Sequence, residues 1–307
     1  MTAQSPVATV AVVIVNWNRR DDTLRCLRSL EEVEAPTLAT YLVDNASGDD
    51  SVAAVRAAFP AVTIIETGRN AGFAEGNNVA LRLIGALGHP YVLLLNCDAF
   101  VAPDTIARLL DALRADPRIG ICGPAICYAA LPEQVWSAGG AIDWRRGIVA
   151  NHHTDRPLGS LPTAPYAVDH VSGCCMLVRA SAIAAAGLLD ARFFMYFEES
   201  EWCVRIARHG FGCVVVPGAR AWHDISPRRY TGSPFVAYYM TRNQLLFLRA
   251  TGAPLSAWIY TVAHQLRALI ALFVAPPSPE RARGRVPMVL ALRDFLLGRF
   301  GPRVLPN

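Results

Sequence analysis

Lysine is absent from the chain: all 29 basic residues are arginine. A Walker-type phosphate loop, whose chemistry needs a lysine at the β- and γ-phosphates, is therefore excluded. The arginine count assigns no role by itself and reads as a codon-composition habit. Glycine is missing from residues 16–21, which follow the first predicted strand, so the G-x-G-x-x-G turn of a nicotinamide-dinucleotide enzyme has no place there. Cysteine occurs eight times but never as C-x-x-C, and Cys174 and Cys175 are neighbours, a poor geometry for a bridge. Reduced thiols in a cytoplasmic protein are expected. No span of about 20 residues is both apolar and free of charge, so no transmembrane helix is expected. The opening MTAQSPVATVAVVIVNW lacks the basic n-region of a secretory signal.

What the chain does have is apolar mass. With 53% hydrophobic residues over 307 positions, it carries enough for one large α/β domain plus an appendage. Residues 1–275 hold 23 Arg against 23 acidic residues and residues 276–307 hold 6 against 2, so the whole +4 excess lies in the C-terminal tail. A basic tail behind an apolar helical region fits either contact with anionic lipid head groups or plain solvation. Nucleic acid is not expected as a partner.

Apolar, β-branched runs alternate with helically spaced segments. Strands are predicted at 10–15, 40–43, 62–66 and 92–95 and helices at 21–30, 49–59 and 79–87, the pattern of a mostly parallel sheet flanked by helices. A polar cluster follows each strand: Asn16 after the first, Asp44 to Gly48 after the second, and Asn96, Cys97 and Asp98 after the fourth. After the third comes a glycine-bearing loop, 69–78, with Asn70, Gly72, Phe73 and Asn77. In open α/β sheets these strand ends line the ligand crevice. Asp98 is there either as a metal or phosphate-site carboxylate or as a cap of the turn before Pro103. A helix at 105–113 and a strand at 119–126 precede an irregular segment, 128–167, where at most a hairpin is expected. Residues 168–179 return to sheet character, with Gly173 allowing close backbone approach.

The stretch FFMYFEESEWCVRIARHGF then places Glu198, Glu199 and Glu201 at the head of an amphipathic helix predicted at 200–208. Carboxylates there are commonly partners of the helix dipole. Beside Phe194, Tyr196 and Phe197, however, such a group also has its pKa raised toward the range of a general base. A last strand at 214–216 leads to Trp222, His223 and Asp224 and then to a basic loop with Arg228 and Arg229. His223 is read either as structural or as a second ligand beside Asp98. From 235 onward the chain turns helical. The middle helix, broken by His264, Gln265 and Arg267, fits a membrane-interface helix, a subdomain packed on the sheet, or the contact of a homo-oligomer.

Seven motifs stand in order: VIVNWN, VDNASGDDS, NAGFAEGNN, LLLNCDAF, VSGCCMLVR, FFMYFEESEWCVRIARHGF and AWHD. Together they resemble family 2 glycosyltransferases of the GT-A fold, in particular the bacterial rhamnosyltransferase-like branch that builds cell-surface polysaccharides. The resemblance covers roughly residues 9–250. The GT-A catalytic domain it implies is expected at 1–234, and the change to helical character from 235 sets off a helical region at 235–307 that either associates with the membrane or packs on the domain or a second copy. The resemblance also implies an inverting enzyme that takes a dTDP- or UDP-sugar, rhamnose first among the candidates, to a lipid-linked or polysaccharide acceptor at the inner face of the cell membrane.

Carried over residue by residue, the resemblance gives Asp44 the nucleotide base, through the N3 proton of uracil or thymine. Asn16, Asn70, Gly72, Phe73, Asn77 and Asn96 line the nucleotide side. Asp98 is the surviving aspartate of a D-x-D motif whose first position is here Asn96, and with His223 it would hold Mg2+ or Mn2+. The base is Glu199, with Glu198 second; relatives commonly carry Asp at the position of Glu199. Glu201 is a further acidic position, Trp222 lies on the acceptor side, and Arg228 or Arg229 closes over the diphosphate. The departures at Asn96 and Glu199 leave open a non-catalytic sugar-nucleotide-binding protein. A nucleotidyltransferase is the remaining alternative, though it would need a glycine-rich basic loop after the first strand.

Overall fold

The computed structural model describes residues 9–34, 37–225, 233–274 and 284–305. The first half alternates strictly: β1 (Val10–Asn16), α1 (Arg20–Glu31), β2 (Leu38–Asp44), α2 (Ser51–Ala58), β3 (Thr63–Glu66), α3 (Gly72–Leu87) and β4 (Tyr91–Asn96). Side chains alternate across a strand, so these runs feed two cores. Val10, Val12, Ile14, Leu93 and Leu95 pack with Leu24 and Leu27 of α1 on one face. Ala11, Val13, Val92 and Leu94 pack with Leu81 and Ile84 of α3 on the other. Burial on both faces explains why the strands read as continuous apolar runs.

The chain continues through β5 (Ala99–Val101), α4 (Thr105–Ala115), β6 (Ile119–Tyr128), β7 (Leu131–Ser137), the hairpin β8 (Gly140–Asp143) and β9 (Ile148–Asn151), and β10 (Tyr166–Val168). Then come β11 (Cys175–Arg179), α5 (Ala180–Ala186), α6 (Glu198–Arg208) and β12 (Gly212–His223). The main sheet runs β10-β12-β6-β11-β4-β1-β2-β3, with β5 on β12 and β7 on β6. Strands β3, β2, β1, β4, β6 and β12 point one way, because β11 is antiparallel to both β4 and β6. The sheet is thus mixed, with its long strands mostly parallel, and their carboxyl ends share one edge.

Several boundaries differ from the sequence reading. Helix α3 begins at Gly72, six residues before the last of the loop residues assigned to 69–78, so Phe73 and Asn77 are helical. Glycine is needed there for contact: a Cβ on Gly76 would stand 2.9 Å from Val15 Cγ1, so α3 sits on β1 only without one. Strand β12 extends far beyond 214–216, because the Pro217–Gly218 interruption is absorbed by a register shift between Val216 and Arg220. Helix α6 starts at Glu198, which brings all three carboxylates into its first turn.

Two long helices follow, α7 (Pro234–Ala250) and α8 (Leu255–Val274), and then the last described helix (Arg285–Leu296). That helix is docked on α7: buried Asp294 accepts a hydrogen bond from Tyr238 (2.9 Å), and the Arg303 backbone N–H donates to Tyr239 (2.9 Å). Among the described residues, no helix is long and apolar enough to cross a membrane.

Candidate active site

Four polar groups converge at the ends of β1 and β2. Asn16 and Asp44 stand opposite each other in register, and Asn16 Nδ2 donates to Asp44 Oδ1 (2.9 Å) and to Ser47 Oγ (3.0 Å). Thr23 of α1 donates to Asn16 Oδ1 (2.9 Å). Asp44 also accepts from the Ser47 backbone N–H (2.9 Å) and hydroxyl (2.6 Å). A carboxylate offers about four acceptor positions, and three are used inside the protein. Asp44 is therefore foremost the organiser of its own turn, with one position over for a ligand.

The glycine-bearing segment behaves differently from the reading as a loop. Asn70 Oδ1 accepts the Gly72 N–H (2.9 Å) at the start of α3. Asn77, almost fully buried, donates back to the Phe73 carbonyl (2.9 Å). That bond holds its amide nitrogen within the helix.

At the end of β4, the Asn96 N–H donates to the Cys174 carbonyl (2.9 Å). Cys97 is partly buried, and burial with the neighbouring Asp98 charge pushes its thiol up to about 12, so it stays a thiol. Strand β5 then pairs back on β12, with Ala99 opposite His223 and Phe100 opposite Trp222. That pairing carries His223 Nε2 to 3.1 Å from Asp98 Oδ1. Burial raises the Asp98 pKa, but the hydrogen bond and charge of His223, with Arg19, outweigh it and hold the carboxyl below its usual range. His223 Nδ1 is buried without a partner. Trp222 stacks on Phe100 (5.4 Å between ring centres) and donates to the Pro132 carbonyl (3.3 Å), an arrangement that fixes the strand end.

The acidic cluster divides. Glu201 forms a two-pronged ion pair with Arg205, 2.9 and 2.8 Å, and is taken up by α6 itself. Glu198 and Glu199 each keep a buried Oε2 with no partner. Burial first, and then the Glu199 charge, raises the Glu198 pKa well above its ordinary value. Burial likewise raises Glu199, against the partial opposition of the backbone N–H groups of Glu199 and Ser200.

Two observations place this pair at the Asp98 end of the sheet. A Cβ on Gly173, next to the residue that holds the end of β4, would lie 3.4 Å from Glu199 Cβ. The Tyr196 phenol is pushed up to about 12 by burial and then by the charges of Glu198, Glu199 and Asp98 together. Phe194, Tyr196 and Phe197, which lead into the pair, all have left-handed φ of 68°, 71° and 73°. Such a conformation costs on the order of 1–3 kcal/mol per non-glycine residue and persists only where its surroundings enforce it.

Arg228 and Arg229 lie outside the described residues. Thr23 and Ser47 belong to the site and were not singled out from sequence; Tyr196 was named there only for its apolar bulk beside the glutamates. Ser47, three residues after Asp44 in an Asp-Asn-Ala-Ser turn, carried the clearest signal.

Two carboxylates of raised basicity beside an aspartate–histidine pair, at the carboxyl edge of a nucleotide-type α/β sheet, are the parts of a group-transfer site. A family model described as glycosyltransferase-like family 2 matches residues 6–243. The chain belongs to this family. This glycosyltransferase is 28% identical over 239 residues to the N-acetylglucosaminyl-diphospho-decaprenol L-rhamnosyltransferase of Mycobacterium tuberculosis, spanning 69% of this chain and 75% of the relative. It is 22% identical over 284 residues to the dTDP-rhamnosyl transferase RfbF of Shigella flexneri, spanning 84% of this chain and 86% of that protein. Among solved structures, it resembles the mannosyltransferase PcManGT of Pyrobaculum calidifontis in complex with GDP-Man and Mn2+. The TM-score is 0.60 at 19% identity, over 95% of this chain and 88% of that one. The glycosyltransferase has the GT-A fold.

Proposed function

We propose that the chain is an inverting glycosyltransferase that transfers a sugar, rhamnose from dTDP-rhamnose first among the candidates, to a lipid-linked or polysaccharide acceptor. The rhamnosyltransferases among its relatives support that choice. The observation that carries the reading is the pair Glu198, buried, and Glu199, half-buried, each with one buried oxygen unpartnered. Glu199 takes the proton of the acceptor hydroxyl as that oxygen bonds to the anomeric carbon. The bond from that carbon to the donor phosphate breaks, and the nucleoside diphosphate departs with its electron pair. Inversion follows from attack opposite the leaving group. Asp44 and Asn16 shape the pocket for the base, and Asp98 and His223 face the diphosphate.

The donor set at Asp98 and His223, one carboxylate and one imidazole whose Nε2 faces that carboxylate at 3.1 Å, fits Mn2+ or Mg2+, the imidazole favouring Mn2+. Among the described residues, no three His, Cys, Asp or Glu side chains are grouped to hold a cation, so the donor phosphates and water would complete it. Asp98 and His223 would hold such a cation, which would supply positive charge opposite the departing diphosphate. Calorimetry with dTDP and UDP should show binding that Mn2+ strengthens, and Asp98→Ala should weaken the Mn2+-dependent affinity by about 10-fold or more. Equal affinity of wild type and variant with Mn2+ would remove Asp98 from this role.

On this reading the sheet-bearing domain spans 1–234 and the helical region 235–307, with the enzyme working at the cytoplasmic face of the membrane. Helix α8 buries Ala257, Thr261 and Gln265 but exposes Leu255, Ile259, Leu266, Ile270 and Val274. A helix apolar on its outer face, with Arg267 and no acidic residue along its length, suits the surface of an anionic bilayer. Ile259→Glu together with Ile270→Glu should reduce co-flotation with phosphatidylglycerol vesicles about 10-fold or more, since each buried isoleucine is worth about 1.5–3 kcal/mol. Unchanged flotation would leave this face for contact with a second copy.

A further inference from the structure

The backbone that delivers Glu198 and Glu199 has every carbonyl from Phe193 to Phe197 engaged. The Phe194 carbonyl receives the N–H groups of Phe73 (2.7 Å) and Ala74 (3.3 Å) at the head of α3, and the Phe197 carbonyl receives the Glu201 N–H (2.9 Å). The Phe193 carbonyl also receives the Met195 N–H (2.8 Å) within the loop; it and the carbonyls of Met195 and Tyr196 are met from α7. Asn243 Nδ2 donates to the carbonyls of Phe193 (2.8 Å), Met195 (2.7 Å) and Tyr196 (3.0 Å). Arg242 donates to Phe193 (3.0 Å), Arg192 (3.3 Å) and Gly301 (2.8 Å). Its Nε also donates to Asn243 Oδ1 (2.9 Å), which fixes which end of the amide faces the loop. Both side chains are buried, Arg242 at 1% and Asn243 at 0% exposure, and the Arg242 guanidinium lies 4.9 Å from the Tyr239 ring centre.

We infer that Asn243, locked by Arg242, is a positioning residue for the base: it clamps the left-handed loop from Phe193 to Tyr196 and so sets where Glu198 and Glu199 stand. The left-handed φ of Phe194, Tyr196 and Phe197 keep the segment out of helix and strand, so the Met195 and Tyr196 carbonyls have no regular backbone partner and are satisfied from α7. A single amide with its two N–H groups converging on three carbonyls does that at one point. A buried arginine in the middle of an apolar helix needs such a reason to be there. The helical region is thereby part of the catalytic apparatus and not an appendage. A fragment ending at residue 234 would leave three loop carbonyls without these donors.

This inference rests on the reading of Glu198 and Glu199 as the base. The groups that face the pair are the two carboxylates themselves, Tyr196 and Cys203. The test uses the full chain with dTDP-rhamnose, Mn2+ and N-acetylglucosaminyl diphosphate on a short alkyl tail. Asn243→Ala should lower kcat about 100-fold, the scale of a displaced general base, while the calorimetric Kd for dTDP stays within about 2-fold. A loosened loop hydrates the carboxylates and lowers their pKa, so the acid limb of the pH–rate profile should move to lower pH. A purely structural loss would scale the whole profile without moving it. Arg242→Lys, which keeps the charge but not the fork, should lower kcat about 10-fold and decides the matter if Asn243→Ala fails to bind dTDP. Wild-type kcat in both variants, or equal loss of kcat and dTDP affinity in Arg242→Lys, would overturn the inference. A wild type that turns over nothing, or an active Glu199→Gln, would instead overturn the reading beneath it.

Discussion

Glu199→Gln is expected to lower kcat by about 100- to 10,000-fold while leaving donor affinity nearly unchanged. The exchange keeps the shape of the side chain and removes only its capacity to accept a proton. Glu198→Gln should have a smaller effect if Glu199 is the base, and the comparison of the two ranks them. The same change should alter stability in the opposite direction. The pKa of each glutamate is raised in the folded state above its ordinary value near 4.3. Between the unfolded and folded values, the native protein holds more protons than the unfolded chain, so stability falls as pH rises through that window. At neutral pH the pair is a burden to the fold. Glu199→Gln should therefore be more stable than wild type at pH 7, and its unfolding free energy should vary less with pH. Denaturant titrations at pH 5 and pH 8 measure both effects. A variant that is fully active, or that is less stable at pH 8 than wild type, would contradict the assignment.

Gly72→Ala should damage the same loop from its other side. Gly72 has φ +76°, and a Cβ there would fall 2.4 Å from Phe194 Cδ2 and 2.5 Å from the Phe194 carbonyl oxygen. That oxygen is held by the N–H groups of Phe73 and Ala74, so it cannot withdraw without losing them. Left-handed strain of about 1–2 kcal/mol and overpacking of about 1–3 kcal/mol sum to roughly 2–5 kcal/mol. A fall in Tm of roughly 10 °C should accompany a loss of kcat, because the displaced segment is the one that carries Glu198 and Glu199. Wild-type Tm and kcat in this variant would show that Phe194 yields freely, and the enforced loop would lose its support.

Much of this arrangement was legible before any coordinates. Asp44, Asp98, His223 and the glutamates stand out because each follows an apolar strand run or heads an amphipathic helix, and polar residues at those points face the crevice. The start of α3 was not legible, since Gly72, Gly76, Asn77 and Asn78 carry loop character locally, and only the close seat of Gly76 on Val15 makes a helix there favourable. The length of β12 was hidden by Pro217 and Gly218, which the sheet tolerates through a shifted register. The role of α7 was hidden for a different reason. Thr241, Arg242, Asn243 and Gln244 interrupt an apolar helix, which announces buried polar partners, yet the loop carbonyls that Arg242 and Asn243 meet lie about fifty residues earlier, in a segment shaped by left-handed φ values that no local rule assigns to Phe or Tyr. Asp44 shows the converse: its position was plain, but its engagement with Asn16 and Ser47 emerges only from the geometry.

The most direct test of the central claim is to follow dTDP-rhamnose and UDP-sugars with Mn2+ and the short-tailed N-acetylglucosaminyl diphosphate acceptor, and to determine by NMR the anomeric configuration of any product. Release of nucleoside diphosphate, with a new glycosidic bond of configuration opposite to that of the donor, is the predicted result. Tight nucleotide-sugar binding with no release across the panel, or a product that retains the donor configuration, would contradict an inverting transferase with Glu199 as its base.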